Sequence, residues 1–140
     1  MGSVHARRVL VCEDDADLAE NLAKHLEMDG YQVRVCHDGP AAIEHATNWQ
    51  PSAAIIDIRL PGTSGYALAQ QLREILGAEL LLIAMTGYGG AADIELARHA
   101  GFHWHFEKPA PAAFLLEVLR NPNRKPVARQ DGVPLNPFGG

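Results

Sequence analysis

The run Ala53-Ala54-Ile55-Ile56-Asp57-Ile58-Arg59-Leu60-Pro61-Gly62 constrains this chain more than any other stretch. Five of the six residues from Ala53 to Ile58 are apolar, and the exception is Asp57. Such a run reads as a buried strand closing on one carboxylate, followed by a turn at Pro61-Gly62. Burying an unpaired carboxylate is costly, so Asp57 needs a partner or a metal. In parallel α/β sheets, ligands gather at the carboxyl ends of the strands, which is where Asp57 falls.

The remaining chain supplies the neighbours of that strand. Arg7 to Cys12 is a short Val- and Leu-rich run that ends directly in Glu13-Asp14-Asp15. Leu18, Leu22 and Leu26 recur every four residues before Gly30, which predicts a helix with one apolar face. Tyr31 to Cys36 alternates as a half-exposed edge strand should. Asp38-Gly39-Pro40 opens a second helix, with proline in its first turn. A third helix is expected over 65–76, where Leu68, Leu72 and Leu76 are in register. Leu80 to Met85 reads as a central strand buried on both faces and ends in Thr86-Gly87. A short helix over 91–100, a fifth strand over 102–106 ending in Glu107-Lys108-Pro109, and a helix over 114–119 complete the series. Five strands alternating with five helices imply right-handed βαβ units and a doubly wound parallel α/β sheet. Residues 1–6 read as a leader, 7–120 as one domain, and 121–140 as a flexible Pro/Gly-rich tail or linker.

Composition removes several function classes. The net charge is −5, which does not suggest a nucleic-acid-binding face. Residues 121–140 hold three of the twelve Lys/Arg and one of the seventeen Asp/Glu, so the acidity lies in the domain. No apolar run reaches the length of a membrane span, and no signal peptide is visible, so the cytoplasm is the expected location. Cys12 and Cys36 read as buried free thiols rather than a disulfide or metal pair.

Four strands end in polar residues that can meet at one edge: Glu13 and Asp14, Asp57, Thr86, and Lys108. Three converging carboxylates would repel one another. A hard divalent cation removes the repulsion, and Mg²⁺, with Mn²⁺ as the alternative, suits a site with few carboxylates. The chemistry within reach of this set is phosphoryl transfer to a carboxylate, with Asp57 as covalent acceptor. Lys108 would neutralise one phosphoryl oxygen and the Thr86 hydroxyl would bond another. A side chain at Gly87 would crowd the incoming group.

At these residues the chain resembles the receiver domains of bacterial two-component response regulators. The matching pieces are Val9-Leu10-Val11-Cys12-Glu13-Asp14-Asp15, Ile55-Ile56-Asp57-Ile58-Arg59-Leu60-Pro61-Gly62, Ala84-Met85-Thr86-Gly87 and Lys108-Pro109, in family order over about residues 7–120. The resemblance implies a flavodoxin-like sheet of order 2-1-3-4-5. It implies Asp57 as phosphoacceptor, Glu13, Asp14, Asp57 and the backbone carbonyl of Arg59 as metal ligands, and Thr86 and Lys108 as the switch hydroxyl and the lysine. The switch aromatic falls on His105, as in receivers of hybrid sensor histidine kinases, which the segments around Thr86 and Gly101 also resemble. Arg59 and Tyr88 fall where the family tunes hydrolysis of the acyl phosphate. The implied partners are a histidine kinase or histidine phosphotransfer protein, and a downstream protein met through the fourth helix, fifth strand and fifth helix. The implied role is that of a phosphoacceptor signalling domain rather than an enzyme, either stand-alone or cut from a hybrid kinase.

Other readings are weaker on the residues. A phosphorylation-independent interaction module would normally lose one of the acidic, acceptor or lysine positions. An Asp-nucleophile phosphohydrolase would carry a second acid two residues after the first, where this chain has Arg59. His103 and His105 lack a third metal ligand and read as structural. Asp15 reads as a helix cap rather than a ligand. Trp49 and Trp104 read as packing residues.

Overall fold

The computed structural model describes residues 7–87, 91–121 and 133–134. Its elements are β1 (Arg8–Cys12), α1 (Ala16–Met28), β2 (Gln32–Cys36), α2 (Gly39–Trp49), β3 (Ala53–Asp57), β4 (Arg59–Leu60), β5 (Thr63–Ser64), α3 (Gly65–Leu76), β6 (Leu81–Thr86), α4 (Ala91–Ala100), β7 (Trp104–Glu107), α5 (Ala112–Arg120) and β8 (Val133–Pro134). The main sheet has the order β2-β1-β3-β6-β7-β8. Its first five members are parallel, as expected, and follow the expected order.

Period-two alternation sorts the core into two layers. Leu10, Cys12, Ala54, Ile56, Leu82 and Ala84 pack on one face with α2, α3 and α4. Val9, Val11, Ile55, Ile83 and Met85 pack on the other with Leu22, Leu26, Leu115 and Val118 of α1 and α5. Strands buried on both faces read as continuous apolar runs, which is why β3 and β6 lack alternation. Each fully buried Leu or Ile contributes roughly 1.5–3 kcal/mol by leaving water.

Helix starts follow local chemistry. The Asp15 carboxylate accepts from the Leu18 N–H at 3.1 Å, Asp38 from Ala41 at 2.9 Å, and the Ser64 hydroxyl from Ala67 at 3.1 Å. Each satisfies an N–H that has no partner within its helix. The Arg73 guanidinium donates to the carbonyls of Gly77, Ala78, Leu80 and Gly101, fastening the end of α3 to the start of β6 and the end of α4. Cys12 and Cys36 are free and buried on paired positions of β1 and β2, with their Sγ atoms 3.3 Å apart. The contact with Cys36 and burial both push the Cys12 thiol well above its ordinary range, so it stays protonated and inert.

Two features go beyond the sequence reading. The turn at Pro61-Gly62 closes a small antiparallel hairpin, β4–β5, with Arg59 opposite Ser64. Within the tail, Val133–Pro134 pairs antiparallel with β7. Among the described residues, no helix is long and apolar enough to cross a membrane.

Candidate functional site

The carboxyl ends of β1, β3, β6 and β7 converge because their registers align: Cys12 lies beside Ile56, Asp57 beside Met85, and Thr86 beside Glu107. Asp57 is therefore the last residue of the central strand, and it is 3% exposed. Its Oδ1 accepts from the Arg59 N–H at 3.0 Å, and its Oδ2 accepts from Lys108 Nζ at 2.9 Å. Glu13 is fully buried; its Oε2 accepts from the Asp15 N–H at 3.1 Å. Its Oε1 forms an ion pair with Lys108 Nζ at 2.8 Å but no aligned hydrogen bond, so that oxygen keeps free acceptor capacity. One ammonium thus bridges two buried carboxylates.

Asp14 is exposed beside them, and one carboxylate oxygen each from Glu13, Asp14 and Asp57 lies within 4.8 Å of the others. An under-satisfied buried carboxylate oxygen facing two further carboxylates fits a hard cation such as Mg²⁺. Burial, the largest influence, holds the Glu13 carboxyl above its ordinary range; the Lys108 ammonium and the Asp15 N–H oppose it, and the charge of Asp57 adds to it. Burial alone would lower the Lys108 ammonium, yet its ion pair with Glu13 and its hydrogen bond to Asp57 outweigh burial and raise it. Lys108 is therefore ionised at neutral pH.

Thr86 is buried at the end of β6, and its carbonyl accepts the Lys108 N–H at 2.7 Å. Thr86 and Lys108 are thus held on neighbouring strand ends. An ideal Cβ at Gly87 meets nothing within 4 Å among the described residues. Arg59 is exposed, with its backbone N–H committed to Asp57. Tyr88 lies outside the described residues. Sequence reasoning missed the Arg59 and Asp15 amides, because backbone donors leave no residue-type signal.

His105 is 2% exposed on β7 and its Nε2 has no hydrogen-bond partner. Burial holds its imidazole below its ordinary range, partly opposed by Asp93 and Glu107. His103, whose Nδ1 accepts from the Leu82 N–H, is lowered by burial and by Arg73. The two histidines form no metal group with other residues among those described. A histidine with a lowered folded-state pKa binds fewer protons when folded than when unfolded. Stability therefore falls as pH drops below the unfolded value of about 6.5. His105→Phe is expected to flatten that fall between about pH 7 and 5, measured as urea midpoints. An unchanged slope would assign the titration to other groups.

These are a doubly wound parallel α/β fold and a three-carboxylate pocket at its strand ends. Residues 9–120 match the family model of the response regulator receiver domain, and the chain belongs to that family, which serves two-component systems. It is 30% identical over 113 residues to the response regulator MprA of Mycobacterium ulcerans (strain Agy99), covering 81% of this chain and 48% of that protein. Its identity to MprA of Mycobacterium avium (strain 104) is 29%, with 81% and 49% covered. The chain thus spans about half the length of the curated relatives it matches. A CheY-like response regulator receiver domain protein from Methanospirillum hungatei JF-1 shares the fold, with a TM-score of 0.78, 24% identity, and 83% and 92% covered. A response regulator from Burkholderia pseudomallei, solved with a phosphorylated aspartic acid, calcium ion and citrate, has a TM-score of 0.76 and 28% identity, with 82% and 67% covered.

Proposed function

We propose that the chain accepts a phosphoryl group on Asp57 from the phosphohistidine of a histidine kinase or phosphotransfer protein. The single observation that carries this reading is the buried Asp57 carboxylate held by Lys108 on one oxygen and by the Arg59 amide on the other, within reach of Glu13 and Asp14. In the transfer, an Asp57 carboxylate oxygen bonds to phosphorus as the P–N bond to the donor imidazole breaks, and the nitrogen keeps the electron pair. Glu13, Asp14, Asp57 and the Arg59 carbonyl would hold Mg²⁺ or Mn²⁺, which would supply positive charge for the phosphoryl oxygens. Lys108 neutralises a further oxygen, and the Thr86 hydroxyl turns towards the acyl phosphate. Phosphoryl transfer asks little of a protein beyond such positioning and charge neutralisation. The similar Burkholderia protein, with its phosphorylated aspartic acid and calcium ion, supports the reading.

Donor access has an apolar seat. A groove of about 280 Å³ beside the site is lined by Leu18, Leu22, Met85, Lys108, Pro109 and Ala112. A helix of the donor laid there would bring its histidine to the strand ends. On the output side, α4 buries Ala97 and Ala100 but leaves Leu96 52% exposed. Among its described residues α4 buries only these two small side chains fully, with Ile94 packed partly buried beside them, and so light an anchorage suits an element moved by phosphorylation.

Intact mass after incubation with acetyl phosphate tests the proposal. The expected result is a gain of one phosphoryl group in the presence of Mg²⁺, none with chelator, and none in Asp57→Asn. A gain that persists in Asp57→Asn would overturn Asp57 as acceptor. No gain by a folded wild-type chain, together with no response to beryllofluoride, would overturn the phosphoacceptor reading.

A further inference from the structure

The outer edge of β7 carries main-chain groups that no parallel neighbour uses. The Lys108 N–H points inward, donating to the Thr86 carbonyl at 2.7 Å. Main-chain groups alternate in direction along a strand, so those of His105 point outward. The chain itself meets them there. Val133–Pro134 runs antiparallel to β7, with Val133 opposite His105 and Pro134 opposite Trp104. The sequence divides accordingly into a polar stretch and an apolar one. Residues 122–132 hold Arg124, Lys125, Arg129 and Asp131 and one large apolar residue, Val127; residues 133–138 hold Val133, Leu135 and Phe138.

His105 joins this edge to the phosphorylation site. Its backbone borders β8, and in register it lies beside Ala84, two residues before Thr86 on the neighbouring strand. Its ring is buried with an unpartnered Nε2, so no hydrogen bond at that nitrogen holds the ring where it is. A Thr86 hydroxyl drawn to a phosphoryl group changes the space next to that ring. A ring that turns to another rotamer repacks against its own strand, and the β8 pairing is made to that strand's backbone.

We propose that the outer edge of β7 is a strand-addition surface whose resting occupant is the chain's own segment Val133–Pro134, and that phosphorylation of Asp57 loosens this occupant through His105. The coupling rests on the phosphoacceptor reading; the occupancy does not. Strand addition draws its affinity from main-chain bonds, so the freed edge fits an extended segment of a protein partner. Pro134 lacks an N–H, which keeps β8 a poor template for a further strand. Linkage is reciprocal, so the docked segment disfavours the phosphorylated state by the same factor.

The test uses the full chain and Val133→Pro. Proline at both 133 and 134 leaves neither residue of β8 able to donate to β7. Hydrogen exchange of the His105 amide is followed in both proteins, before and after acetyl phosphate with Mg²⁺, with intact mass read on the same samples. Exchange is expected to be about tenfold faster in Val133→Pro and similarly faster in phosphorylated wild type. A synthetic peptide of residues 130–138 should restore protection to Val133→Pro. Unchanged His105 exchange in Val133→Pro overturns the occupancy. Faster exchange in Val133→Pro, but none on phosphorylation of wild type, overturns the coupling. If the mass shows no phosphoryl group, the phosphoacceptor reading fails on its own readout and the coupling falls with it, while the Val133→Pro comparison still decides the occupancy.

Discussion

Lys108→Met is expected to slow phosphoryl uptake from acetyl phosphate by about 10²–10³-fold while tightening Mg²⁺ binding. The two effects have opposite signs because Lys108 plays two parts. Its ammonium lies 2.8 Å from Glu13 Oε1 and 2.9 Å from Asp57 Oδ2, where it neutralises the carboxylates that a metal would use. A cation already in the pocket repels a second one. Two charges 4 Å apart interact by about 4 kcal/mol near a protein surface, and the partial exposure of Lys108 reduces this. A 3- to 30-fold gain in Mg²⁺ affinity is therefore a reasonable magnitude, roughly 0.7–2 kcal/mol. The transfer step moves the other way, since methionine fills the volume but offers no charge to a phosphoryl oxygen. Isothermal titration with Mg²⁺ and the rate of mass gain separate the two. Weaker Mg²⁺ binding in a folded Lys108→Met chain would show that the ammonium assists the metal instead of competing with it. The ion pair also has a pH signature. The folded-state pKa of Lys108 is raised, so its stabilisation is complete below the ordinary lysine value of about 10.4 and is lost as pH rises through the folded value.

The parts of this molecule that were legible in the sequence are those set by local pattern. The apolar run of β3 closing on Asp57, the four-residue spacing of Leu18, Leu22 and Leu26, the cap at Asp15 and the proline at the start of α2 each announce their element. The polar residues at the ends of β1, β3, β6 and β7 meet because a parallel sheet brings those ends to one edge. What was not legible depends on contacts between segments. The β4–β5 hairpin has two residues per strand, too few for alternation to show, although its Pro61-Gly62 turn was plain. Val133–Pro134 lies in a proline-rich tail, and its pairing with β7 has no local signal in those two residues. The support of Asp57 is similarly hidden. The Arg59 N–H on Asp57 Oδ1 and the Asp15 N–H on Glu13 Oε2 are main-chain groups that every residue but proline carries. Gly65 was read only as the start of a helix, yet it lies against the strand end that carries Asp57.

Gly65→Val is expected to lower folding stability by about 3 kcal/mol and to slow phosphoryl uptake with it. An ideal Cβ at Gly65 would lie 2.7 Å from Ile58 Cα, 2.9 Å from the Asp57 carbonyl oxygen and 3.2 Å from Ile56 Cγ2. The two nearest atoms are backbone, and backbone cannot rotate aside as the end of a side chain can. Handedness is not the reason for glycine here. Gly62 has a φ of +78° with nothing near its Cβ position, whereas Gly65 is needed for the space it leaves. That space lets the Gly65 N–H reach the Ile58 carbonyl at 2.7 Å, which ties the start of α3 to the residue after Asp57. A larger residue must push α3 outward or displace the end of β3. Displacing β3 moves Asp57 relative to Lys108 and the Arg59 amide, whose bonds of 2.9 and 3.0 Å leave little slack. Gly65→Ala carries the same Cβ with less bulk and should show the same two effects at about half the size. Urea midpoints and the rate of mass gain measure them together. A Gly65→Ala protein as stable and as reactive as wild type would show that the strand end yields freely, and the link between the α3 packing and the Asp57 geometry would fail.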